Sequence, residues 1–171
     1  MWDPATGRLV HVLHVASGPV NGVAFSPNGR LLAGADMDGT VRLWDPATGQ
    51  PIRVLHIASG PNGAGWVAFS PHSGLLATVT GTGAVQLWNP VTGQAVGAPF
   101  GQSNLDNEVG SVTFSPDGRL LASADSAGTV RFWEVSAFIN PYAALCADVG
   151  APTQQEWRKY AGGEPQPSVC T

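Results

Sequence analysis

Residues 23–33 read Val23-Ala24-Phe25-Ser26-Pro27-Asn28-Gly29-Arg30-Leu31-Leu32-Ala33, and nearly the same block recurs at 67–77 and at 112–122. Each copy begins with a β-branched and aromatic run that ends in Ser-Pro, continues through a turn sequence containing Gly, and ends in an apolar run. That order predicts a strand, a tight turn and a second strand. An internal repeat of this kind predicts similar structural units packed side by side.

A tryptophan closes each unit. Trp44, Trp88 and Trp133 end the short runs that follow the three blocks, Trp2 precedes them, and successive spacings are 42, 44 and 45 residues. A period of about 40–45 residues carrying several short strands is typical of a propeller blade, which needs a copy of itself on each side to bury its faces. The positions expected to be structural in every repeat are Trp2, Trp44, Trp88, Trp133, Asp38, Phe25, Phe69 and Phe114.

The repeats resemble WD40 repeats of β-propellers. The resemblance covers residues 1 to about 135 and depends on the Phe-Ser-Pro-x-Gly-x-Leu-Leu-Ala block together with Gly-Thr-Val-Arg-Leu-Trp-Asp at 39–45. It implies an all-β fold of β-propeller blades, here about three in an incomplete ring. A short helical tail is expected after them. The expected segments are 1–15 as an orphan outer strand, 16–58 as blade 1, 59–100 as blade 2, 101–135 as a three-stranded blade 3, and 136–171 as the tail.

The copies depart from the buried polar set of His, Ser or Thr, Asp and Trp that many such repeats carry. The turn Asp is present as Asp38 but not in the other copies, and the strand Ser or Thr is Thr78 and Ser123 but Gly34 in the first copy. Half-satisfied polar networks are costly in a protein interior. We therefore expect apolar packing to hold these blades together.

Composition and charge restrict the partners that the protein can bind and the place where it is expected to act. Of the 171 residues only 12 % are charged and the net charge is −4, which argues against nucleic acid or an anionic membrane as a partner. No stretch approaches 18 apolar residues, and the first residues carry neither a basic nor an apolar signal region. The prediction is a cytoplasmic protein without a membrane span.

The tail differs from the repeats. Thr153 to Glu156 is a capping box that predicts a helix over 154–160. Its Leu-Cys…Glu-Trp…Tyr…Cys pattern resembles the endings of bacterial (actinobacterial-type) regulators in which a WD40 array follows an NTPase or kinase module, and that resemblance implies the C-terminal part of such a regulator. Alternatively, the helix only covers the last blade. Cys146 and Cys170 are either reduced thiols or a disulfide.

No catalytic arrangement is visible in the sequence. His11 and His14 are three residues apart on a predicted strand and so point to opposite faces, and there is no nucleophile elbow, phosphate-binding Gly motif or paired-carboxylate site. We expect no enzyme activity, no cofactor and no metal. A hydrolase on a propeller scaffold is the weakest alternative.

Partner contacts are expected in the loops that such repeats gather on one face of the disc. The loop 101–110 is the connection that differs most from its equivalents in the other repeats, and it carries Asp106 and Glu108. Asp36 and Asp125 recur at one turn position. Together they predict an acidic patch that favours a basic protein partner. Ordinary turn chemistry at the two aspartates and a solvated insertion at the loop are the alternatives.

Three blades are too few for a ring, since propellers close with about 4–8. The chain is therefore expected to be a fragment of a longer protein with further N-terminal blades, or to assemble head to tail as a dimer or trimer, or to be an open monomer prone to aggregation. The predicted function is a non-catalytic protein-interaction scaffold or sensor module in a larger signalling protein. The alternative function is a self-assembling protomer that closes a ring.

Overall fold

The structure is a computed structural model that describes residues 6–14, 18–57, 64–80, 83–101, 109–125, 128–135 and 138. In these ranges the regular elements are short β-strands. They are β1 (Val20–Phe25), β2 (Leu32–Asp36), β3 (Thr40–Trp44), β4 (Pro51–His56), β5 (Val67–Phe69), β6 (Leu76–Val79), β7 (Val85–Trp88), β8 (Ala95–Phe100), β9 (Val109–Phe114), β10 (Leu120–Asp125) and β11 (Val130–Glu134).

The strands form three antiparallel sheets, one for each repeat. Blade 1 is β1-β2-β3-β4, blade 2 is β5-β6-β7-β8, and blade 3 is β9-β10-β11 within the described part of the chain. The sheets lie inside the predicted ranges 16–58, 59–100 and 101–135, and the all-β architecture is confirmed there. The predicted helix at 154–160 and both cysteines lie outside the described residues.

The pairing of the first two strands has the same register in each blade, and it sorts the side chains onto two faces. In blade 1, Phe25 pairs with Leu32, which pairs with Trp44. Directly paired residues in a sheet share a face, so this row defines one side, here called the Trp face. Blade 2 repeats the row with Phe69, Leu76 and Trp88.

The opposite side of each sheet carries small and branched residues and is here called the alanine face. In blade 1 it is formed by Ala33, Ala35, Val41 and Leu43, all fully buried. These side chains share one apolar cluster with Val67, Leu76 and Trp88 of blade 2. The alanine face of blade 1 therefore packs on the Trp face of blade 2, and β9 of blade 3 contacts β5 and β6 in turn.

The turn after the Phe-Ser-Pro run explains its composition. The Ser26 hydroxyl donates to Asn28 Oδ1 (2.8 Å) and accepts from the Leu31 amide (2.9 Å). Gly29 has φ of +68°, a left-handed conformation that glycine adopts at no steric cost. The side-chain bonds and the glycine together close the hairpin between β1 and β2.

The predicted N-terminal strand over residues 8–15 is not observed as a strand. Within the described residues 8–14 only Leu9 makes an isolated bridge. A strand is stabilised by a neighbour along its whole edge, and within the part of the chain that the structure describes this segment pairs only through the bridge at Leu9. Its contacts with blade 1 are described below.

The chain divides into two compact units, residues 1–133 and 134–171, and the stacked sheets belong to the first. In the second unit Val135 is buried and its carbonyl accepts a hydrogen bond from the Phe138 amide (3.0 Å). Among the helices of the described residues, none combines the length and apolar character needed to cross a bilayer.

Candidate partner-binding surface

One end of the blades carries the turns between the second and third strands. In blade 1 this turn holds an ion-paired cluster. The Asp36 side chain is 0 % exposed, and its Oδ2 accepts from Nε of Arg42 at 2.7 Å. Nη2 of the same arginine donates to Oδ2 of Asp38 at 2.8 Å. The hydrogen bond from Arg42 to Asp36 raises the pKa of Arg42, although its partial burial acts in the opposite direction.

Blade 3 repeats the ion pair. Arg131 donates to Oδ2 of Asp125, whose side chain is almost completely buried, and Oδ1 of Asp125 accepts from the Thr129 amide at 2.9 Å. Two of the three aspartates of the predicted acidic patch, Asp36 and Asp125, are therefore held inside their blades by arginine. This pairing gives them a structural role and neutralises their charge. The patch residues Asp106 and Glu108 lie outside the described residues, and their contribution to binding stays a prediction.

Blade 2 replaces both members of the ion pair with neutral residues. Thr80 stands at the Asp position and accepts from the Ala84 amide through its hydroxyl (3.1 Å). Gln86 stands at the Arg position and donates to main-chain carbonyls, including Leu87 O at 2.8 Å. The sequence contains the signal for this exchange: Asp and Arg occur six residues apart in two copies, and both change in the third.

The repeated tryptophans are held by polar contacts in two blades. Nε1 of Trp88 donates to Thr78 Oγ1, and Nε1 of Trp133 donates to Ser123 Oγ, each at 2.9 Å. A buried indole N–H needs an acceptor. The expectation that apolar packing holds the blades together is therefore wrong for blades 2 and 3. In these blades the Ser or Thr of the strand hydrogen-bonds directly to the tryptophan, although the other residues of the buried polar set are missing.

Trp66 is the residue of this end that the sequence analysis missed. It is 43 % exposed and stands outside the register of the repeated tryptophans. Its ring and main chain lie against Gly22, where a built Cβ would be 3.3 Å from Cε3 of the indole. The connection that carries it is tied to the Asp36 turn, since the Ala64 amide donates to Asp36 O at 3.0 Å. The sequence signal that could have identified Trp66 is its position outside the regular spacing of Trp2, Trp44, Trp88 and Trp133.

Met37 lies in the Asp36 turn and is also exposed. It brings a flexible apolar side chain to the same end of the blades as Trp66. Asn21 strengthens the link between the two segments, because its side-chain amide donates to Ala64 O at 3.0 Å. The result is an aromatic and a thioether side chain held on a rigid base, which is the composition found in interface cores.

The described residues contain no group of three or more His, Cys, Asp or Glu that could hold a metal ion. A cavity of about 380 Å³ lies elsewhere, between the N-terminal segment and the Trp face of blade 1, where Val12, His14, Trp44 and Arg53 are among its lining residues.

Comparison with known proteins supports the repeat assignment. The family model of the WD domain, G-beta repeat, matches residues 7–45 and 101–134. These segments contain β1 to β3 of blade 1 and β9 to β11 of blade 3. The chain is also similar to the periodic tryptophan protein 2 homolog of Mus musculus, with 49 % identity over 43 residues. That match covers 25 % of this chain and 5 % of the mouse protein. Residues 7–45 and 101–134 are therefore similar to WD40 repeats.

Proposed function

We propose that this chain is a non-catalytic protein-interaction scaffold, a module of a larger regulatory protein, whose partner docks on Trp66 and Met37. WD40 repeats generally mediate contacts between proteins, and the repeats of this chain form stacked, rigid sheets that present connections at their ends. Recognition residues usually lie on such connections, held in place by the sheets beneath. The resemblance of the tail to bacterial regulators remains part of the proposal.

The observation that carries the proposal is the exposed indole of Trp66. Tryptophan is enriched among the residues that dominate binding energy at protein interfaces. The repeated tryptophans Trp44 and Trp88 are buried, whereas Trp66 shows 43 % of its surface to solvent and has no place in the repeat.

The partner surface is expected to be apolar at its centre, to match Trp66 and Met37. Asp38 lies beside Met37 on the same turn and is already paired with Arg42, so the two charges largely cancel there. A preference for a basic partner depends instead on Asp106 and Glu108 of the loop 101–110, as the sequence predicts.

The proposal is tested by affinity capture with the full chain as bait in lysate of its native source. Trp66→Ala and Met37→Ser are compared with the wild type and with Val91→Ser, a matched control because Val91 is an exposed apolar residue on a turn of blade 2. The bound proteins are quantified by mass spectrometry, and thermal melts confirm that each variant is folded.

A partner of this surface is retained by wild type and Val91→Ser and is reduced at least tenfold by Trp66→Ala, as for truncation of an interface anchor. Capture that is equal for all four baits, with every bait folded, contradicts the proposed surface. Capture of no protein by the wild type contradicts the scaffold function itself.

A further inference from the structure

We propose that Asp38 is a contact residue for the partner that docks on Trp66 and Met37, and that it receives an arginine side chain of that partner. The turn 36–42 releases Asp38 by passing the Thr40 amide to Asp36. The inference rests on the proposed function, because Met37 lies between the two aspartates in the chain. It adds to the preference for a basic partner a contact that Arg42 conceals in the free chain.

The buried carboxylate of Asp36 is only half satisfied. Its Oδ2 accepts from Nε of Arg42, whereas its Oδ1 is buried and has no hydrogen-bond partner among the residues that the structure describes. A buried acceptor without a donor costs free energy, and such atoms are rare in folded proteins. The defect indicates that another group holds the donor that Oδ1 needs.

The other repeats identify this donor. In blade 3 the Thr129 amide donates to Oδ1 of Asp125 at 2.9 Å. In blade 2 the Ala84 amide donates to the Thr80 hydroxyl at 3.1 Å. Both bonds run from an amide to the side chain four residues earlier, across the turn between the second and third strands. The corresponding donor in blade 1 is the amide of Thr40.

Asp38 holds this donor in blade 1. The Thr40 amide donates to Oδ1 of Asp38 at 2.9 Å, and the Thr40 hydroxyl donates to the same oxygen at 2.6 Å. Blades 2 and 3 have Thr82 and Ala127 at the position of Asp38, and they pair their second and third strands without an acid there. An acid that the other blades lack, and that leaves a buried oxygen unsatisfied, is the kind of local conflict expected at a functional position.

The exchange of acceptors needs only a small movement. The Thr40 hydroxyl lies 3.3 Å from Oδ2 of Asp36, so Thr40 already touches both carboxylates. When its amide passes to Oδ1 of Asp36, the buried oxygen gains a donor and Asp38 loses one, so the number of hydrogen bonds is conserved. A ligand that binds one of two such arrangements more tightly shifts the turn towards it.

The charge of the turn selects a cation as that ligand. Asp36 and Asp38 share the single guanidinium of Arg42, which leaves one negative charge in excess. The side chain of Asp36 is 0 % exposed and that of Asp38 is 21 % exposed, so a partner reaches this charge at Asp38. A guanidinium pairs with a carboxylate through two parallel hydrogen bonds. Arginine is also enriched in interface cores beside aromatic residues and methionine, which are the residue types of Trp66 and Met37.

The exchange itself is tested with Asp38→Ala, which installs the residue of blade 3 at this position. The melting temperature is expected to stay within about 3 °C of the wild type. The Thr40 amide is expected to keep its protection from hydrogen exchange within about tenfold, because Oδ1 of Asp36 accepts it. A larger fall of either quantity overturns the proposal, because it means that the turn needs Asp38 for its structure.

The ligand is tested by NMR titration of the full chain with N-acetylarginine methylamide in the millimolar range. The citrulline analogue is the neutral control of the same shape. The arginine compound is expected to shift the Thr40 amide resonance saturably, and Asp38→Ala is expected to raise its dissociation constant about tenfold or more. Asp117→Asn removes the same charge from an exposed turn of blade 3 and installs the residue type of Asn28, so it is expected to leave the constant unchanged.

Three results of the titration overturn the proposal: no saturable shift, equal shifts with the citrulline compound, or binding that survives Asp38→Ala.

Adding both variants to the affinity capture separates this inference from the proposed function. Asp38→Ala is expected to reduce the captured partner about tenfold, and Asp117→Asn is expected to retain it. Capture that is lost with Trp66→Ala but unchanged with Asp38→Ala overturns the role of Asp38 and leaves the docking site in place. If the wild type captures nothing, the proposed function fails, and the titration, which uses no partner protein, decides alone whether Asp38 binds arginine.

Discussion

The Trp44 indole lies so close to Gly34 that a Cβ built on the glycine would be 2.8 Å from Cζ3 of the ring. The corresponding positions in blades 2 and 3 are Thr78 and Ser123, whose hydroxyls accept the hydrogen bond of the tryptophan. The repeats therefore place the same indole in two ways, with room made by a glycine in blade 1 and with a hydroxyl acceptor in the other two.

Gly34→Ala is expected to destabilise the protein by about 1–3 kcal/mol, because the added methyl group overpacks the contact with Trp44. The matched control is Gly110→Ala, since a Cβ on Gly110 meets nothing closer than 3.9 Å. Glycine in a strand interior is destabilising, so the control is expected to be neutral or stabilising. Urea denaturation of both variants measures the difference, and equal midpoints contradict the tight contact.

Thr78→Val is expected to cost about 1–3 kcal/mol, because it leaves the buried N–H of Trp88 without an acceptor. The substitution keeps the side-chain shape and the strand propensity. Thr113→Val changes an exposed threonine of β9 in the same way and is expected to have little effect. Thermal unfolding followed by tryptophan fluorescence compares the two, and similar midpoints would mean that the Trp88 hydrogen bond contributes nothing.

Arg42→Gln is expected to destabilise the protein by about 3 kcal/mol, since it leaves the buried carboxylate of Asp36 without its cation. The double variant Asp36→Thr with Arg42→Gln installs the pair that blade 2 already uses, Thr80 and Gln86. We expect it to recover more than half of the loss. A double-mutant cycle by chemical denaturation measures the coupling, and additive effects of the two substitutions argue against a repeat-internal pair.

The turn after Trp44 is expected to weaken in acid. Hydrogen bonding from the Ala47 amide holds the pKa of Asp45 below its ordinary value of 3.8. A carboxylate with a lowered pKa in the folded state contributes stability above its unfolded pKa and loses that contribution as the pH falls through the folded value. The stability that Asp45 adds is therefore expected to be complete at neutral pH and to disappear below pH 3.8.

Blade 2 offers the reciprocal control for this pH dependence. Asn89 stands at the position of Asp45 and accepts from the Val91 amide at 2.9 Å without a charge. Asp45→Asn is expected to remove part of the acid-dependent loss of stability, and Asn89→Asp is expected to add to it. Unfolding midpoints measured from pH 2 to pH 7 test both, and parallel curves for the three proteins contradict the assignment.

Local patterns in the sequence were sufficient for the strands and turns. Ser-Pro followed by Asn28-Gly29 predicted the hairpin that the structure contains, because side-chain bonds and a left-handed glycine act over five residues or fewer. The strand predicted at residues 8–15 was wrong in the described part, because a strand depends on a neighbour that can be distant in sequence. The burial of Asp36 and Asp125 needed the tertiary structure for a similar reason, because their arginine partners are six residues away and meet them only across a pair of strands.

By itself the sequence determined the repeat and the strand order within each blade, because both follow from a period of about 44 residues along the chain. It also determined which residues share a face, because side chains alternate between faces with a period of about two residues along a strand. Only the tertiary structure decided which faces are covered and which are open. Val23, Val67 and Val112 are the same residue in the same local context, and nothing in that context distinguishes the exposed copy from the buried ones. Burial depends on what lies on the other side of the sheet, and stacking between blades sets that.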